Sequence, residues 1–506
     1  MILRDYEQKI VRVIRRSGVL MPLASLPGPF GIGCFSGHAY AFVDFLEKAG
    51  QSAWQILPLG PLSYGDSPYQ SFSTFAGNPY FIDPETLMEE GLLKEQECRS
   101  FDFGSDPECT DYEKLYRNRF RLLKIAHNRF KPGEEYDRFI KDNRFWLDDY
   151  VLFMSLKDSM NGIPLSDWPE DIRLRKKEAL DGARRIHEND MEFYRFQQYE
   201  FFRQWKKLKA YANGKGIQII GDLPIYVAYD SADVWANPSL FQMGPGLVPT
   251  CVAGCPPDFF SITGQLWGNP LYEWDRHIET GYSWWIERIR KCFELYDVLR
   301  IDHFRAFAGY YSIPFGSETA EHGNWIKGPG YQLFSAVRES LGNKPIIAEN
   351  LGFITPDVDE LLVKCGFPGM KVLQFAFDPW DDKGASEYLP HNYERNSVVY
   401  TGTHDNDTTA GWYASLKNDE KKKVRTYLRV KDRSGVCAGM IHIAMGSVSE
   451  LSVIPIQDWL ELGSEARINI PSTLGGNWCW RMSEDALTDS LALRIREMTA
   501  RYGRLA

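Results

Sequence analysis

Short apolar runs rich in β-branched residues recur along the chain and constrain its fold more than any other feature. They cover residues 18–22, 53–58, 218–222, 298–302, 345–349, 371–375, 397–401 and 452–456, and several end in a polar or charged residue. Segments with helical periodicity, such as 201–212 and 331–341, lie between many of these runs. Eight buried strands that alternate with helices predict an α/β fold, a (β/α)₈ or TIM barrel. An open, doubly wound sheet is the alternative, but no Gly-rich dinucleotide-binding fingerprint follows the first run.

The spacing of the runs is uneven, which predicts insertions. Far more chain separates the second run from the third than one helix requires, and residues 85–200 are charged and helix-like. Residues 224–275 are instead rich in Pro, Gly and aromatic side chains. We interpret the first segment as a mostly helical insertion after the second strand. The second segment is predicted to be an aromatic, loop-rich insertion after the third strand, and both should lie on the C-terminal rim.

The end of the sequence bounds the number of domains. The chain ends soon after the eighth run, and no internal repeat, low-complexity tract or linker interrupts it. A barrel with insertions can reach 506 residues. We therefore expect residues 1–506 to form a single barrel domain without a separate C-terminal β-sandwich.

Charge and cysteine content bear on partners and compartment. With 58 basic and 68 acidic residues, the net charge is −10, which disfavours nucleic acid and favours a neutral or cationic ligand. The nine cysteines are scattered and odd in number, which is typical of a reducing compartment. The N-terminus lacks the apolar core of a signal peptide, and no apolar run approaches membrane-spanning length. These features predict a cytoplasmic protein without a membrane partner.

Three carboxylates follow predicted strands and are candidates for chemistry. Asp302 and Glu349 end the fourth and fifth runs, and Asp405 comes shortly after the seventh. One such acid could simply cap the next helix, but three on the same rim are harder to explain in that way. Two carboxylates that flank a glycosidic bond are the minimum for glycosyl transfer with retention, because one attacks while the other protonates the leaving oxygen.

The neighbours of these acids predict how they are protonated. Arg300 lies two residues before Asp302, so both side chains point from the same face of a strand, and the guanidinium should keep Asp302 ionised. The apolar residues before Glu349 should raise its pKa and keep it protonated as a general acid. His404, next to Asp405 in a polar turn, is placed for contact with a ligand.

A set of motifs in order gives the chain a family resemblance. The motifs are SPYQSFS at 67–73, GNPY at 77–80, GDLPIYV at 221–227, PPDFFS at 256–261, GQLWGNPLY at 264–272, RIDHFR at 300–305, AENLG at 348–352 and THDND at 403–407. Together they resemble the amylomaltases and plant-type disproportionating enzymes, family 77 of the glycoside hydrolases. The resemblance runs from about residue 17 to 481 and implies a catalytic (β/α)₈ barrel that acts as a 4-α-glucanotransferase.

The resemblance implies roles for individual residues. Asp302 would be the nucleophile, Glu349 the acid and base, and Asp405 the stabiliser of the transition state. Contacts with the donor sugar are implied for Tyr69, Asp222, Arg300 and His404. Contacts on the acceptor side are implied for Ser67, Asp378 and Asn469, and a flexible covering loop for Asp258, Phe259, Gln265 and Trp267. Two positions depart from the pattern: Ser472 replaces a frequent Gly, and Phe259 replaces a Tyr of some relatives, which removes a hydroxyl but keeps a stacking ring.

The mechanism implied is double displacement through a covalent glycosyl-enzyme on maltooligosaccharides and other α-1,4-glucans. A retaining pair places its carboxyl groups roughly 5–5.5 Å apart, and carboxylates alone supply charge and proton, so no metal or cofactor is expected. Three alternatives remain: an α-amylase-type hydrolase that shares the acids, a non-catalytic maltodextrin-binding protein that uses only the aromatics, and a metal-dependent barrel hydrolase. The three acids disfavour the second, and the lack of a His pair at ligand spacing disfavours the third.

Overall fold

The computed structural model describes residues 15–63, 65–257, 261–352, 354–377 and 386–505. Its centre is a closed barrel of eight strands in which every strand pairs in parallel with the next along the chain, and the last pairs with the first. The strands are β1 Arg16–Leu20, β2 Ala53–Gln55, β3 Gln218–Leu223, β4 Val298–Ile301, β5 Ile346–Ala348, β6 Gly369–Val372, β7 Ser397–Tyr400 and β8 Leu451–Pro455. The predicted (β/α)₈ barrel is therefore confirmed.

Helices surround the barrel on its outer side. They are α1 Gly37–Lys48, α2 Glu188–Gly214, α3 Ser283–Leu295, α4 Tyr331–Leu341, α5 Pro356–Cys365, α6 Val436–Gly446 and α7 Asp489–Arg501. Between β6 and β7 the described residues contain the 3₁₀ turns Leu373–Phe377 and Pro390–Asn392 and no α-helix. In the parts of the chain that the structure describes, no helix is both long and apolar enough to cross a membrane.

The barrel has separate inner and outer cores, because successive side chains of a strand point to opposite faces. Leu20, Ile220, Val298, Ile347 and Val453 belong to the cluster that fills the interior of the barrel. The alternate residues pack outward against the helices in a larger cluster. Strands with both faces buried must be apolar almost throughout, which explains why they were recognisable as continuous apolar runs.

The sixth strand lies two residues earlier than the run at 371–375 predicts. It covers Gly369–Val372, and the chain then turns into the 3₁₀ segment Leu373–Phe377. A side chain of Asn350 fixes this start, because its Oδ1 accepts the N–H of Met370 at 2.8 Å. Only glycine fits at 369, since an added Cβ would lie 2.7 Å from the same Asn350 oxygen.

The segment between β2 and α2 is mainly helical. Its helices are Pro84–Glu89, Glu95–Arg99, Tyr112–His127, Glu134–Ser159, Glu170–Arg173 and Lys177–Ile186. The longest of these, Glu134–Ser159, packs against α2 and carries Trp146, Leu147 and Tyr150 into a second hydrophobic cluster. Trp235 from the segment after β3 joins this cluster, so the two long connections pack against each other.

The connections after β3 and β4 share a small antiparallel sheet. Its strands are, in spatial order, Asn324–Lys327, Gly309–Pro314, Cys251–Cys255 and Gln265–Pro270. The connection after β3 also contains the helices Ala232–Ala236 and Trp274–Glu279 and the short pair Met243–Gly244 and Val248–Pro249. The connection after β7 contains the helices Thr409–Ser415 and Asn418–Leu428, and Ile456–Trp459 follows β8. The described residues after β8 contain no sheet.

Candidate active site

Three acidic side chains lie where neighbouring barrel strands end. Asp222 is the last residue but one of β3, Asp302 follows β4, and Glu349 follows β5. The backbone ladder continues past the strand ends, since the N–H of Asp302 donates to Leu223 and that of Glu349 to Ile301, both at 3.0 Å. Parallel pairing thus fixes all three carboxylates at the C-terminal rim of the barrel.

Arg300 joins the three acids into one group, which we call the Arg300 cluster (Arg300, Asp222, Asp302 and Glu349). Its guanidinium, 2% exposed, donates to Oδ2 of Asp222 and lies 3.3 Å from Oδ1 of Asp302 and 3.0 Å from Oε2 of Glu349. Burial disfavours the charged guanidinium, but the three carboxylates outweigh it and raise the pKa of Arg300 well above its ordinary value. The cluster therefore always contains a positive charge.

The surroundings of Asp302 and Glu349 shift the pKa values of the two carboxyls in opposite directions. Burial and the negative charge of Glu349 raise the pKa of Asp302 well above its usual value, although Arg300 opposes them. Burial also acts against ionised Glu349, but Arg300, a hydrogen bond with Asp302 and the N–H of His303 lower its pKa to about 2. Arg300 lies closer to Glu349 than to Asp302, which sequence spacing could not reveal.

His303 contributes through its backbone. It adopts a left-handed conformation with φ of 50°, which is uncommon for a residue with a side chain. This turn directs its N–H to Oε2 of Glu349 at 2.7 Å. Its ring meets the edge of Trp267, with the centroids 4.8 Å apart, and burial lowers the pKa of the imidazole to about 4. His303 is therefore neutral at physiological pH.

Asp405 lies in the turn after β7, and its side chain is 42% exposed. Asn469 donates to its Oδ1 at 2.6 Å, and Nε2 of His404 lies 3.4 Å from its Oδ2. Arg467 donates to the backbone oxygen of Asp405 at 2.9 Å and to that of Asn469 at 2.7 Å. The segment after β8 thus holds the exposed carboxylate in place.

Tyr69 connects the Arg300 cluster with the turn that carries Asp405. Its hydroxyl donates to Oδ2 of Asp222 at 2.7 Å, and its ring stacks on His404 with the centroids 5.1 Å apart and the planes 14° apart. Trp478 packs against both rings, 5.8 Å from Tyr69 and 6.0 Å from His404. The predicted donor-side residues Tyr69, Asp222, Arg300 and His404 therefore lie in one connected group.

Of the remaining predicted residues, some lie in the described part of the chain and others do not. Ser67 lies two residues before Tyr69, and its Oγ accepts the N–H of Tyr69 at 3.2 Å. Gln265 and Trp267 lie on one strand, where the indole N–H donates to Oε1 of Gln265 at 3.1 Å. Asp258, Phe259 and Asp378 lie outside the described residues.

Two residues near the site were missed by the sequence reasoning. Trp478 lies in the late, irregular part of the chain, where no periodicity or strand end marks it. Asp458 follows β8 and is 1% exposed; it accepts hydrogen bonds from Thr401 and Thr409, which bracket the turn with His404 and Asp405. An acid three residues after the eighth strand was the available signal for Asp458.

The comparisons with known proteins agree over nearly the whole chain. The family model for 4-alpha-glucanotransferase matches residues 21–488. The chain belongs to the 4-alpha-glucanotransferase family. The 4-alpha-glucanotransferase of Streptococcus pneumoniae is 50% identical over 97% of this chain and 98% of its own length. The same enzyme of Clostridium butyricum is 49% identical over 96% of this chain and 100% of its own length.

A solved structure extends the agreement to three dimensions. The amylomaltase of Streptococcus agalactiae, determined in complex with acarbose, matches with a TM-score of 0.94 and 42% identity over 97% of this chain and 100% of that chain. The family assignment makes this chain an enzyme that transfers α-1,4-glucan segments, as the sequence motifs predicted. Neither a hydrolase nor a non-catalytic binding protein is favoured by these relatives.

Proposed function

We propose that this 4-alpha-glucanotransferase works by double displacement, with Asp302 as the nucleophile and Glu349 as the general acid and base. The observation that carries the proposal is the Arg300 cluster, in which both carboxyls contact the same guanidinium at the rim of the barrel. A retaining enzyme needs two carboxyls on one glycosidic bond, and here neighbouring strands supply them.

The mechanism requires one proton on the pair of Asp302 and Glu349. A retaining pair places its carboxyl groups roughly 5–5.5 Å apart, and we expect this separation when a glucan lies between Asp302 and Glu349. We propose that, with the sugar bound, Glu349 is protonated and Asp302 is ionised. Arg300 then stabilises the ionised nucleophile Asp302.

Both steps balance in atoms and protons. Asp302 attacks the anomeric carbon, the glycosidic bond breaks, and Glu349 gives its proton to the departing glucan oxygen. In the second step Glu349 takes the proton from the 4-hydroxyl of an acceptor glucan or of glucose. That oxygen displaces Asp302 from the anomeric carbon, so an α-1,4 bond forms again.

The other predicted residues complete the proposal. Asp405, held by Asn469, would stabilise positive charge on the sugar ring in the transition state. Tyr69, Asp222 and His404 would contact the donor sugar, and Ser67, Asn469 and Asp378 the acceptor. Asp258, Phe259, Gln265 and Trp267 would belong to a loop that covers the acceptor and excludes water.

We further propose the setting in which the enzyme works. The substrates are neutral maltooligosaccharides and longer α-1,4-glucans, which suit a chain with a net charge of −10 better than nucleic acid does. No metal or cofactor is required by two carboxyls and an arginine. The free thiols favour a reducing compartment such as the cytoplasm. The insertions at 85–200 and 224–275 would belong to one catalytic domain of residues 1–506.

Incubation with maltotriose tests the reaction and its residues. We expect glucose together with longer oligomers, whereas glucose and maltose alone would indicate hydrolysis. Asp302→Asn and Glu349→Gln should each lower kcat by at least about a thousandfold, because a removed nucleophile or acid is not replaced. Mass spectrometry of Glu349→Gln with an activated glucosyl donor should detect a glycosyl adduct on Asp302. An adduct at another residue would contradict the assignment.

A further inference from the structure

A second pocket lies apart from the Arg300 cluster. It has a volume of about 350 Å³ and is enclosed by the helix Glu134–Ser159, the helix Ala232–Ala236 with the turn after it, and the beginning of α3. Of the described residues that line it, none belongs to the predicted catalytic site. Ligand pockets range from about 300 to 1,000 Å³, so the volume suits a small ligand or one segment of a chain.

Aromatic rings form one wall of this pocket. Phe145 is 52% exposed, which is unusual for a large apolar side chain that is held by other rings. Phe75, itself 6% exposed, meets Phe145 edge to face at 5.4 Å and Trp284 edge to face at 6.0 Å. The contact with Phe75 and the ammonium of Lys291, 5.9 Å from the ring centroid, orient the exposed ring, which can stack on an apolar face of a ligand.

The charged groups around the pocket are already paired. Asp149 contacts Arg175 at 2.7 Å, and Arg276 contacts Glu279 at 2.6 Å. Glu287 contacts Arg290 at 3.2 Å. An anionic or cationic ligand would have to compete with these pairs, whereas a neutral ligand would not.

Uncharged and weakly acidic groups supply the polar surface. In the part of the chain that the structure describes, the hydroxyls of Ser239 and Ser283 make no hydrogen bond, and both residues line the pocket. Asp233 lies at the inner side, 4% exposed, and burial raises its pKa to about 6 although the N–H of Thr74 and the charge of Arg288 oppose this. These groups match the hydroxyls of a sugar, and the fixed ring matches its apolar face.

We propose that this pocket is a second carbohydrate site, which binds a short stretch of an α-glucan remote from the bond being transferred. The proposal rests on the glucan substrate proposed above. The same segment of chain borders both sites: Tyr69 holds Asp222 in the Arg300 cluster, and Ser73 and Phe75 line the pocket a few residues later. We propose that a long glucan binds at both sites at once, whereas maltotriose is too short to do so.

Native gel electrophoresis through immobilised soluble amylose tests the proposal with the full chain. Phe145→Ala removes the exposed ring, and Ser283→Trp fills the pocket from an exposed position. Each variant should bind amylose about fivefold more weakly than the unaltered chain, because a stacking contact is lost. Tyr116→Ala is the matched control, since this aromatic ring is 60% exposed and does not line the pocket.

Transfer from maltotriose separates the pocket from the catalytic site. All three variants should keep the maltotriose rate of the unaltered chain, because none changes the Arg300 cluster. If Phe145→Ala and Ser283→Trp bind amylose as strongly as Tyr116→Ala does, the second site is wrong. Absence of transfer by the unaltered chain would instead contradict the proposed function. Amylose binding needs no turnover, so the comparison of the three variants would still show whether the pocket binds glucan.

Discussion

Asp222 is held by two unlike donors, and their separate contributions can be measured. Its Oδ2 accepts both the guanidinium of Arg300 and the hydroxyl of Tyr69. Its Oδ1 is buried and has no hydrogen-bond partner among the described residues. Both donors therefore act on one oxygen of Asp222, so the orientation of this carboxylate depends on both of them.

Tyr69→Phe should separate these contributions. The variant removes the hydroxyl but keeps the ring that stacks on His404. A hydrogen bond to a charged group contributes about 1.5–3 kcal/mol, so we expect kcat/KM on maltotriose to fall by about ten- to a hundredfold. Tyr194→Phe is the control, because Tyr194 also donates to an aspartate, Asp158 at 2.5 Å, outside the barrel. Equal kcat/KM values for the two variants would exclude a role for Tyr69 in holding Asp222.

Single residues also mark the limit of the sequence reasoning. The motifs identified Asp302, Glu349 and Asp405, because a polar residue that follows an apolar run is visible in the sequence. The contacts that set the electrostatics of Asp302 and Glu349 were not predictable. They are the position of the guanidinium of Arg300 between the two carboxyls and the N–H of His303, which reaches Glu349 because His303 adopts a left-handed backbone conformation.

At the scale of elements, the turn that carries His404 and Asp405 is fixed at both ends by one side chain. Asp458, buried after β8, accepts the hydroxyl of Thr401 at the start of the turn. It accepts the N–H and the hydroxyl of Thr409, both at 2.7 Å, at the end of the turn. The helix Ile456–Trp459, which follows β8, therefore positions the turn after β7 that carries His404 and Asp405.

Asp458→Asn should loosen this turn without changing any residue that meets the substrate. The amide presents an N–H₂ where an oxygen accepted a donor, which removes at least one hydrogen bond worth about 1.5–3 kcal/mol. We expect kcat to fall by about ten- to a hundredfold with little change in KM, because the role proposed for Asp405 is to stabilise the transition state. Asp432→Asn, at an exposed turn where the carboxylate accepts the N–H of Ser434 at 2.9 Å, is the control. A rise in KM alone would contradict a positioning role.

The strands were predictable from the sequence and several connections were not. Strands buried on both faces leave continuous apolar runs, which is why each of the eight was found. The start of β6 coincides with a hydrogen bond from the N–H of Met370 to Asn350, and such a contact between distant residues leaves no local pattern. The 3₁₀ turns in the described residues between β6 and β7 are also short and leave no periodic pattern in the sequence.

At the scale of the whole molecule, closure of the barrel joins residues that are far apart in sequence. Strand β1 pairs with β8, with Arg16 opposite Leu451. We call this pairing of β1 with β8 the seam of the barrel. The side chain of Arg504 is fully buried after α7 and contacts the seam, because it donates to the backbone oxygens of Arg16 at 2.8 Å and Met445 at 2.7 Å. It also donates to Ser447 at 3.1 Å and Ser449 at 3.0 Å in the turn before β8.

Arg504→Met should therefore weaken the whole barrel and not only its last helix. The variant leaves four buried carbonyl oxygens without this donor, and we expect the free energy of unfolding to fall by about 3–5 kcal/mol. Burial lowers the pKa of Arg504 to about 9, which shows that burying its charge is costly. Methionine carries no charge and avoids this cost, which offsets part of the lost hydrogen bonding. We therefore expect a loss near the lower limit, about 3 kcal/mol. Urea unfolding followed by tryptophan fluorescence and by transfer activity should show both midpoints shifting together, because closure is shared by all eight strands.

Arg501→Met, an exposed arginine three residues earlier, should leave both midpoints unchanged. If activity survives to the normal urea concentration while only the fluorescence midpoint falls, Arg504 secures α7 alone and not the seam.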